Sequence, residues 1–163
     1  MEKKIAVLSD THLHGVSRDL VGLYERYLKD VDMIIHAGDF VSEEVIDFLS
    51  KKPFHGVHGN MDPRDLKLRL PEKKTIEVGP LKIGLIHGWG SPDGLEDRIR
   101  DQFQDVDIII YGHSHRAANR FKDGILFFNP GTALGYTSSG MHSIGILRLG
   151  DGISGEIIDI DAG

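Results

Sequence analysis

Two histidines separated by one residue follow an apolar run in the second half of the chain. His113 and His115 stand in the segment "YGHSHR", which overlaps the end of the apolar run "DIIIYG", so they lie at the end of a predicted buried strand. Imidazole is the commonest metal ligand in proteins, and a His-x-His pair can offer two rings from one short loop. A lone pair of this kind is more often incidental, so its function depends on partners elsewhere in the chain.

Four other apolar runs end in residues of metal-binding type, in the segments "LSDTH", "HAGDF", "VHGNMD" and "LIHGWG". In open α/β sheets, ligands bind outside the carboxyl ends of the strands, where neighbouring loops converge. We therefore expect one cleft to collect the metal-capable residues of all five segments. These residues are Asp10, His12, Asp39, Asn60, His87, His113 and His115.

Each of these residues also has an ordinary structural explanation when it is taken alone. An aspartate after a strand, such as Asp10 or Asp39, often caps a helix or turns the chain. Asn60 follows a glycine in a common turn pair, and His87 suits a hydrogen-bonded histidine at a strand end. Five successive strand ends that all carry ligand types favour a shared site over independent accidents.

The elements that must position these residues alternate between strands and helices. Continuous apolar runs predict buried strands in "KIAVLSD", "DMIIHAGD", "FHGVHGN" and "DIIIYG". Helical spacing follows Ser17 and Ser42, both suitable N-caps, and a further helix is predicted over about residues 92 to 103. The remaining strands are predicted in "KKTIEV", "LKIGLIHG", "NRFKDGILFFN", "HSIGILRL" and "GEIIDI". This order predicts an α/β protein with central sheets and outer helices.

Composition limits the classes of function. A chain of 163 residues is long enough for one domain with a real core, so we expect a single domain over residues 1–163. The net charge of −6 argues against general affinity for nucleic acid or anionic membranes. There is no cysteine, so nitrogen and oxygen must hold any metal. No signal segment or membrane span is predicted, and a cytoplasmic location is expected.

The ordered blocks "DTH", "GDF", "GNMD", "HGW" and "GHSH" resemble the calcineurin-like metallophosphoesterase superfamily, whose pattern is D-x-H, G-D, G-N, H and G-H-x-H. The resemblance covers about residues 7 to 131, and with "NPGT" at 129–132 it looks most like the small bacterial and archaeal phosphodiesterase branch. That branch is related to a eukaryotic retromer subunit with the same fold and an impaired metal site. The resemblance implies a β-sandwich flanked by helices, in α/β/β/α layers.

The resemblance also implies a cofactor of two divalent metal ions, with Asp39 between them. It places one ion on Asp10, His12, Asp39 and His115, and the other on Asp39, Asn60, His87 and His113. Such nitrogen and oxygen ligands suit Mn²⁺, Fe, Zn²⁺, Co²⁺ or Ni²⁺. The implied activity is hydrolysis of a small phosphodiester by a metal-bridging hydroxide, with Asp10, Asp39, Asn60 and His87 as the catalytic centre.

Residues near these blocks are interpreted one by one. Arg116 and Arg120 either contact a phosphate or face solvent, and solvent is favoured. Asp62 either orients a ligand or begins a turn. His36 is interpreted as a hydrogen-bonded core histidine. Trp89 either walls the pocket or fills the core, and the unassigned histidines are His14, His55, His58 and His142.

Met61 departs from the family pattern. Many larger relatives carry histidine immediately after the metal-binding asparagine, where it can protonate the departing oxygen. A thioether cannot donate a proton, so Met61 leaves that role open. Either another group supplies the proton, with His58, His14 and water as candidates, or the leaving group departs unassisted.

Two alternatives to the phosphodiesterase remain. One is a scaffold or binding module with the same fold and weak or no catalysis, and the other is a phosphomonoesterase or nucleotidase with the same metals. Seven convergent ligands favour an enzyme, because a scaffold has no physical need for them. The oligomeric state is left open, including a homo-oligomer.

Overall fold

Two five-stranded sheets form the centre of the protein. The computed structural model describes residues 2–135, 137 and 140–161. The strands are β1 (Lys3–Leu8), β2 (Met33–His36), β3 (Phe54–Gly56), β4 (Lys73–Val78), β5 (Leu81–Ile86), β6 (Ile108–Ile110), β7 (Ala118–Lys122), β8 (Ile125–Asn129), β9 (Ser143–Leu149) and β10 (Ile153–Asp159). The first sheet has the order β10-β9-β1-β2-β3, and the second has the order β4-β5-β6-β8-β7.

Strand β1 shows why the predicted strands are apolar on both faces. Its residues Ile5 and Val7 belong to a buried cluster that includes Ile83 and Ile108 of the second sheet. The alternate residues, including Leu8, pack in another cluster with residues of the first two helices. A strand covered on both faces reads as a continuous apolar run. The sheets therefore form a sandwich with helices outside, which confirms the predicted α/β/β/α fold.

The helices are short and lie outside the sandwich. They are α1 (Arg18–Leu23, continued by a π-helical segment over Tyr24–Leu28), α2 (Glu43–Leu49), α3 (Arg64–Arg69) and α4 (Leu95–Arg100). The predicted caps are confirmed, because the side chain of Ser17 accepts the N–H of Leu20 at 3.1 Å and that of Ser42 accepts the N–H of Glu44 at 3.2 Å. Within the described residues, no helix is long and apolar enough to cross a bilayer.

Two helices differ from the prediction. Helix α4 begins only at Leu95, because Gly94 has a left-handed φ of 73° and breaks the predicted helix that started near Pro92. Helix α3 was not predicted at all. Its only buried residue is Leu66, while Leu68 is 75% exposed, so its sequence carries no amphipathic stripe.

Parallel pairing brings the ligand-type segments together. Strands β1, β2 and β3 run parallel in the first sheet, and β5 and β6 run parallel in the second. Their carboxyl ends lead into the five segments identified from the sequence. Each sheet thus contributes loops to one edge of the sandwich.

Candidate metal centre

Two buried carboxylates form the centre of the site. Asp10 is fully buried and Asp39 is 2% exposed. Each uses one oxygen for a donor of the protein: Asp10 Oδ2 accepts the hydroxyl of Ser9 at 2.6 Å, and Asp39 Oδ1 accepts the N–H of Met61 at 2.8 Å. The second oxygen of each carboxylate, Asp10 Oδ1 and Asp39 Oδ2, faces imidazole rings.

Three imidazoles surround these two oxygens. His12 Nε2 lies 3.5 Å from Asp10 Oδ1 and 3.8 Å from Asp39 Oδ2. His87 Nε2 lies 3.2 Å from Asp39 Oδ2 and 4.0 Å from Asp10 Oδ1. His115 Nε2 lies 3.5 Å from Asp10 Oδ1. Ligand types from both sheets therefore share one small volume.

Two clusters in this volume have the spacing of a metal site. Within each cluster, the ligand atoms lie within 4.8 Å of one another. One cluster is Asp10, His12 and His115, and the other is Asp10, Asp39 and His87. Asp10 belongs to both. Asp39 is also within 3.8 Å of His12, so both carboxylates lie between the two clusters.

Asn60 and His113 lie beside these clusters, and their roles as ligands stay predictions. The rings of His113 and His87 are 5.4 Å apart, and His113 Nε2 lies 2.7 Å from the carbonyl oxygen of Gly90. Because a carbonyl only accepts, Nε2 carries the proton and Nδ1 is the nitrogen free to coordinate. Asn60 is exposed and lines a cavity together with His87.

The donor atoms fit a divalent cation. His87 Nδ1 lies 2.8 Å from the carbonyl oxygen of Ala37, so Nδ1 carries the proton. The other nitrogen, Nε2, is buried and has no hydrogen-bond partner in the described part of the chain. A buried acceptor without a donor is costly, and a ligating histidine held by a backbone carbonyl is the usual arrangement around metals. With two carboxylates facing it, this nitrogen suits a cation.

The pKa values reflect the crowding of charge. Burial alone would raise the pKa of Asp10, but hydrogen bonds from His115 and His12 lower it well below its usual range. The hydrogen bond to Asp10 raises the pKa of His12. Burial lowers the pKa of His87, but Asp39 and Asp10 outweigh it and the net pKa is raised. The two carboxylates thus favour the protonated form of the imidazoles of His12 and His87.

The backbone at the predicted ligands is unusual. Five of them have a left-handed φ, namely Asp10 (54°), His12 (48°), Asp39 (61°), His113 (72°) and His115 (62°). This conformation costs about 1–3 kcal/mol for a residue with a side chain, and such residues cluster at functional sites. The chain adopts this conformation at five of the seven predicted ligands despite its cost, which indicates that the directions of these side chains matter.

Asp62 joins two of the ligand segments. Its carboxylate accepts the N–H groups of Asp39 at 3.0 Å, Val41 at 2.7 Å and Gly59 at 2.8 Å. Asp62 is 3% exposed, and these charge-assisted hydrogen bonds are buried for Asp39 and Gly59 and partly buried for Val41. Of the two interpretations from the sequence, the structure favours the one in which Asp62 orients a ligand.

His36 holds two backbone segments that carry predicted ligands, those around Gly38 and Thr11. The predicted hydrogen-bonded core histidine is confirmed: His36 is fully buried, its Nδ1 accepts the N–H of Gly38 at 3.0 Å, and its ring stacks on Phe40 at 3.6 Å. Nε2 therefore carries the proton and donates to Thr11 Oγ1 at 3.2 Å. Burial lowers the pKa of His36 to about 3.

Asn129 supports the loop that carries His113 and His115, a role that the sequence does not predict. Its Nδ2 donates to the carbonyl of Gly112 at 3.2 Å and to Ser114 Oγ at 3.1 Å. Its Oδ1 accepts the N–H of Gly131 at 2.9 Å. The sequence signal at Asn129 is the "NPGT" segment, which carries a resemblance to the phosphodiesterase branch and does not predict these hydrogen bonds.

The structure also shows the surroundings of four further residues discussed from the sequence, Arg116, Arg120, His142 and Trp89. Arg116 and Arg120 are both exposed to solvent, as the sequence interpretation favoured, and Arg120 also pairs with Glu96 at 2.7 Å. His142 pairs with Asp161 at 2.9 Å, away from the predicted ligands. Trp89 is 42% exposed and lines the cavity shared with His87, so it walls a pocket instead of filling the core.

Comparison with known proteins agrees with this geometry. The family model of the calcineurin-like phosphoesterase superfamily domain matches residues 3–152. A probable metallophosphoesterase of Methanocaldococcus jannaschii is 36% identical over 132 residues, 78% of this chain and 67% of that protein. A phosphodiesterase of the same organism is 32% identical over 158 residues, 88% of this chain and 92% of that protein.

The solved structures include Vps29 of Entamoeba histolytica in complex with zinc. It has a TM-score of 0.70 and 26% sequence identity, and the match covers 96% of this chain and 98% of that one. The chain belongs to the calcineurin-like phosphoesterase superfamily. The resemblance inferred from the five blocks is thereby confirmed.

Proposed function

We propose that the protein is a phosphodiesterase that hydrolyses a small phosphodiester with two divalent cations. The observation that carries the proposal is the convergence of Asp10 Oδ1 and Asp39 Oδ2 on the Nε2 atoms of three histidines at the edge of both sheets. The relative named a phosphodiesterase spans nearly the same length of chain, which supports the diester as substrate class.

The residues that would hold the cations form two sets, one for each cation, and the two sets share Asp39. We propose Asp10, His12, Asp39 and His115 for one cation, and Asp39, Asn60, His87 and His113 for the other. When bound, such cations supply Lewis acidity toward a phosphate and lower the pKa of water. Mn²⁺, Fe, Zn²⁺, Co²⁺ and Ni²⁺ all suit these ligands.

The residues of the chain contribute the orientation of the predicted ligands. Ser9 and the N–H of Met61 each hold one carboxylate oxygen, so Asp10 and Asp39 present their other oxygen in a fixed direction. The carbonyls of Ala37 and Gly90 fix the tautomers of His87 and of its neighbour His113. Such preorganisation lowers the reorganisation needed when charge develops on the phosphoryl group.

A scaffold remains the second candidate because one specific observation favours it. The fold is shared with Vps29, whose name describes vacuolar protein sorting and which has been solved with zinc. In that case the same residues would bind metal without turnover. Metal binding alone therefore does not distinguish the two functions, and hydrolysis does.

The test combines metal content with hydrolysis. Protein purified without chelator is analysed for metal and assayed with bis(p-nitrophenyl) phosphate and p-nitrophenyl phosphate after addition of Mn²⁺ or Ni²⁺. We expect two metals per chain and faster cleavage of the diester. Asp39→Asn should abolish both, whereas Asp151→Asn, at an exposed turn between β9 and β10, should change neither. A folded wild type that binds metal but cleaves no ester would support the scaffold.

A further inference from the structure

A cavity of about 140 Å³ opens next to the metal centre. It shares Asn60 and His87 with the predicted ligands, and Trp89 forms part of its wall. Trp89 is 42% exposed although its ring is large and mostly apolar. An indole face left open beside a reaction centre is a surface on which a planar ring can stack.

Three polar side chains complete the lining. The ammonium of Lys67 lies 3.5 Å from the carbonyl oxygen of Asn60, which brings a donor close to a predicted ligand. Glu72 adds an acceptor. His58 contributes a ring whose buried Nδ1 has no hydrogen-bond partner within the described chain. Polar groups of both kinds thus line a space that an aromatic wall borders.

The size of the cavity limits what can enter it. A protein cavity of about 150 Å³ holds one benzene ring. A volume of about 140 Å³ therefore suits a single six-membered ring, while a fused two-ring base is too large to enter fully. The hydrogen-bonding groups favour a ring that carries its own donors and acceptors over a plain phenyl ring.

We infer that this cavity binds part of one ester group of the substrate, and that this group carries a planar six-membered heterocycle of the pyrimidine type. The ring would stack on Trp89 and exchange hydrogen bonds with Lys67 and Glu72. The inference rests on the proposed phosphodiesterase function, because Asn60 and His87 form the boundary between the cavity and the metal centre. Trp89 and Lys67 are then specificity residues that do not act on the phosphorus.

Binding measurements test the inference without turnover. The ligands are phosphonate analogues of uridine 5′-monophosphate and ribose 5-phosphate, in which carbon replaces the bridging oxygen. They differ only in the base, and calorimetry on the metal-loaded protein measures both. We expect the uridine analogue to bind about tenfold more tightly, the scale of one stacked base. It should also change the fluorescence of Trp89, the only tryptophan of the chain.

Variants locate the effect. Trp89→Leu should remove the preference for the uridine analogue, and Phe121→Leu, which changes an exposed aromatic residue outside the cavity, should preserve it. The adenosine analogue should bind no better than the ribose analogue. Equal binding of the uridine and ribose analogues by the wild type, or a preference that survives Trp89→Leu, would overturn the inference.

The same samples separate this inference from the proposed function. Metal content and hydrolysis of bis(p-nitrophenyl) phosphate are measured on the wild type in parallel. Hydrolysis without a preference for the uridine analogue overturns the ring site alone. A wild type that fails to hydrolyse the diester overturns the proposed function, and the ring site as a substrate site falls with it.

Discussion

The carboxylate of Asp62 accepts the backbone N–H of Asp39 at 3.0 Å, and the same oxygen accepts the N–H of Gly59 at 2.8 Å. One buried side chain thus connects the segments that follow β2 and β3, each of which carries a predicted metal ligand. The position of Asp39 relative to Asn60 depends on this residue, which would itself hold no metal.

Replacing Asp62 tests that dependence. Asp62→Ala leaves two buried N–H groups and one partly buried N–H group without their acceptor, so we expect the free energy of unfolding to fall by about 2–4 kcal/mol. Metal affinity should fall as well. Chemical denaturation and metal titration measure the two effects. Asp62→Asn serves as the matched variant, because it keeps the shape of the side chain but turns an NH₂ group toward a backbone donor. If Asp62→Ala changed stability and metal affinity as little as Asp151→Ala does, the proposed role of Asp62 would be contradicted.

Metal binding should stabilise the fold through Asp39. A ligand that binds only the folded state at 100 times its Kd adds about 2.7 kcal/mol to the free energy of unfolding. We expect a metal-dependent rise in Tm for the wild type and none for Asp39→Asn. The variant keeps the acceptor for the N–H of Met61 and loses a buried negative charge near Asp10, so its metal-free form should be at least as stable as the wild type. A metal-dependent rise retained in the variant would exclude Asp39 as a ligand.

Protons should compete with metal at the histidines. In the metal-free protein the pKa values of His12 and His87 are raised by Asp10 and Asp39, and a cation must displace those protons. The apparent metal affinity should therefore fall as the pH falls through the raised pKa values, by up to about tenfold per pH unit for each proton released. Calorimetry in buffers of different ionisation enthalpy counts the protons, and a count of zero at neutral pH would contradict the prediction.

His36 should weaken the fold in acid. Its pKa is about 3 in the folded protein, against 6.5 as the ordinary value, so between these limits the unfolded chain binds a proton that the folded chain does not. Its contribution is therefore complete above pH 6.5 and is lost as the pH falls, with a limiting slope of about 1.4 kcal/mol per pH unit.

His36→Gln isolates this effect from the other titrating groups. Glutamine keeps a donor toward Thr11 and does not titrate, so the difference in free energy of unfolding between wild type and variant should shrink or reverse in acid. Urea unfolding across that pH range measures the difference. A difference that does not change with pH would show that His36 is already charged in the folded state.

Because Met61 cannot donate a proton, we predict that the rate of hydrolysis depends on the acidity of the leaving group. Its side chain is 58% exposed and cannot donate a proton, and a positioned acid typically contributes about 10²- to 10⁴-fold to a rate. We expect aryl diesters to be cleaved much faster than alkyl diesters, and Met61→His to reduce that difference. A series of diesters with leaving groups of graded acidity measures it. A flat series for the wild type would reveal another proton donor.

The sequence predicted the strands well and the supports of the site poorly. Strand β1 is recognisable because burial on both faces demands an unbroken apolar run, whereas α3 buries only Leu66 and leaves no periodic signal. The ligand types follow strand ends and can be read from the chain. The role of Asn129 cannot, and neither can the hydrogen-bond partner of the correctly predicted core histidine His36, because these partners are fixed by packing between segments distant in sequence. The residue type at position 39 also does not predict the left-handed backbone conformation of Asp39.

The predicted ligand residues come from both halves of the sandwich: Asp10 and Asp39 follow strands of the first sheet, and His87 and His115 follow strands of the second. A cation held between them would act as a cross-link between layers that otherwise meet through apolar contacts and a few hydrogen bonds, such as that of His87 to Ala37. Separation of the sheets would then require release of the cation, so the amide hydrogens at the sheet interface should exchange together and more slowly in the metal-loaded protein. Metal occupancy would thus set the cooperativity of the whole sandwich as well as the chemistry at its edge.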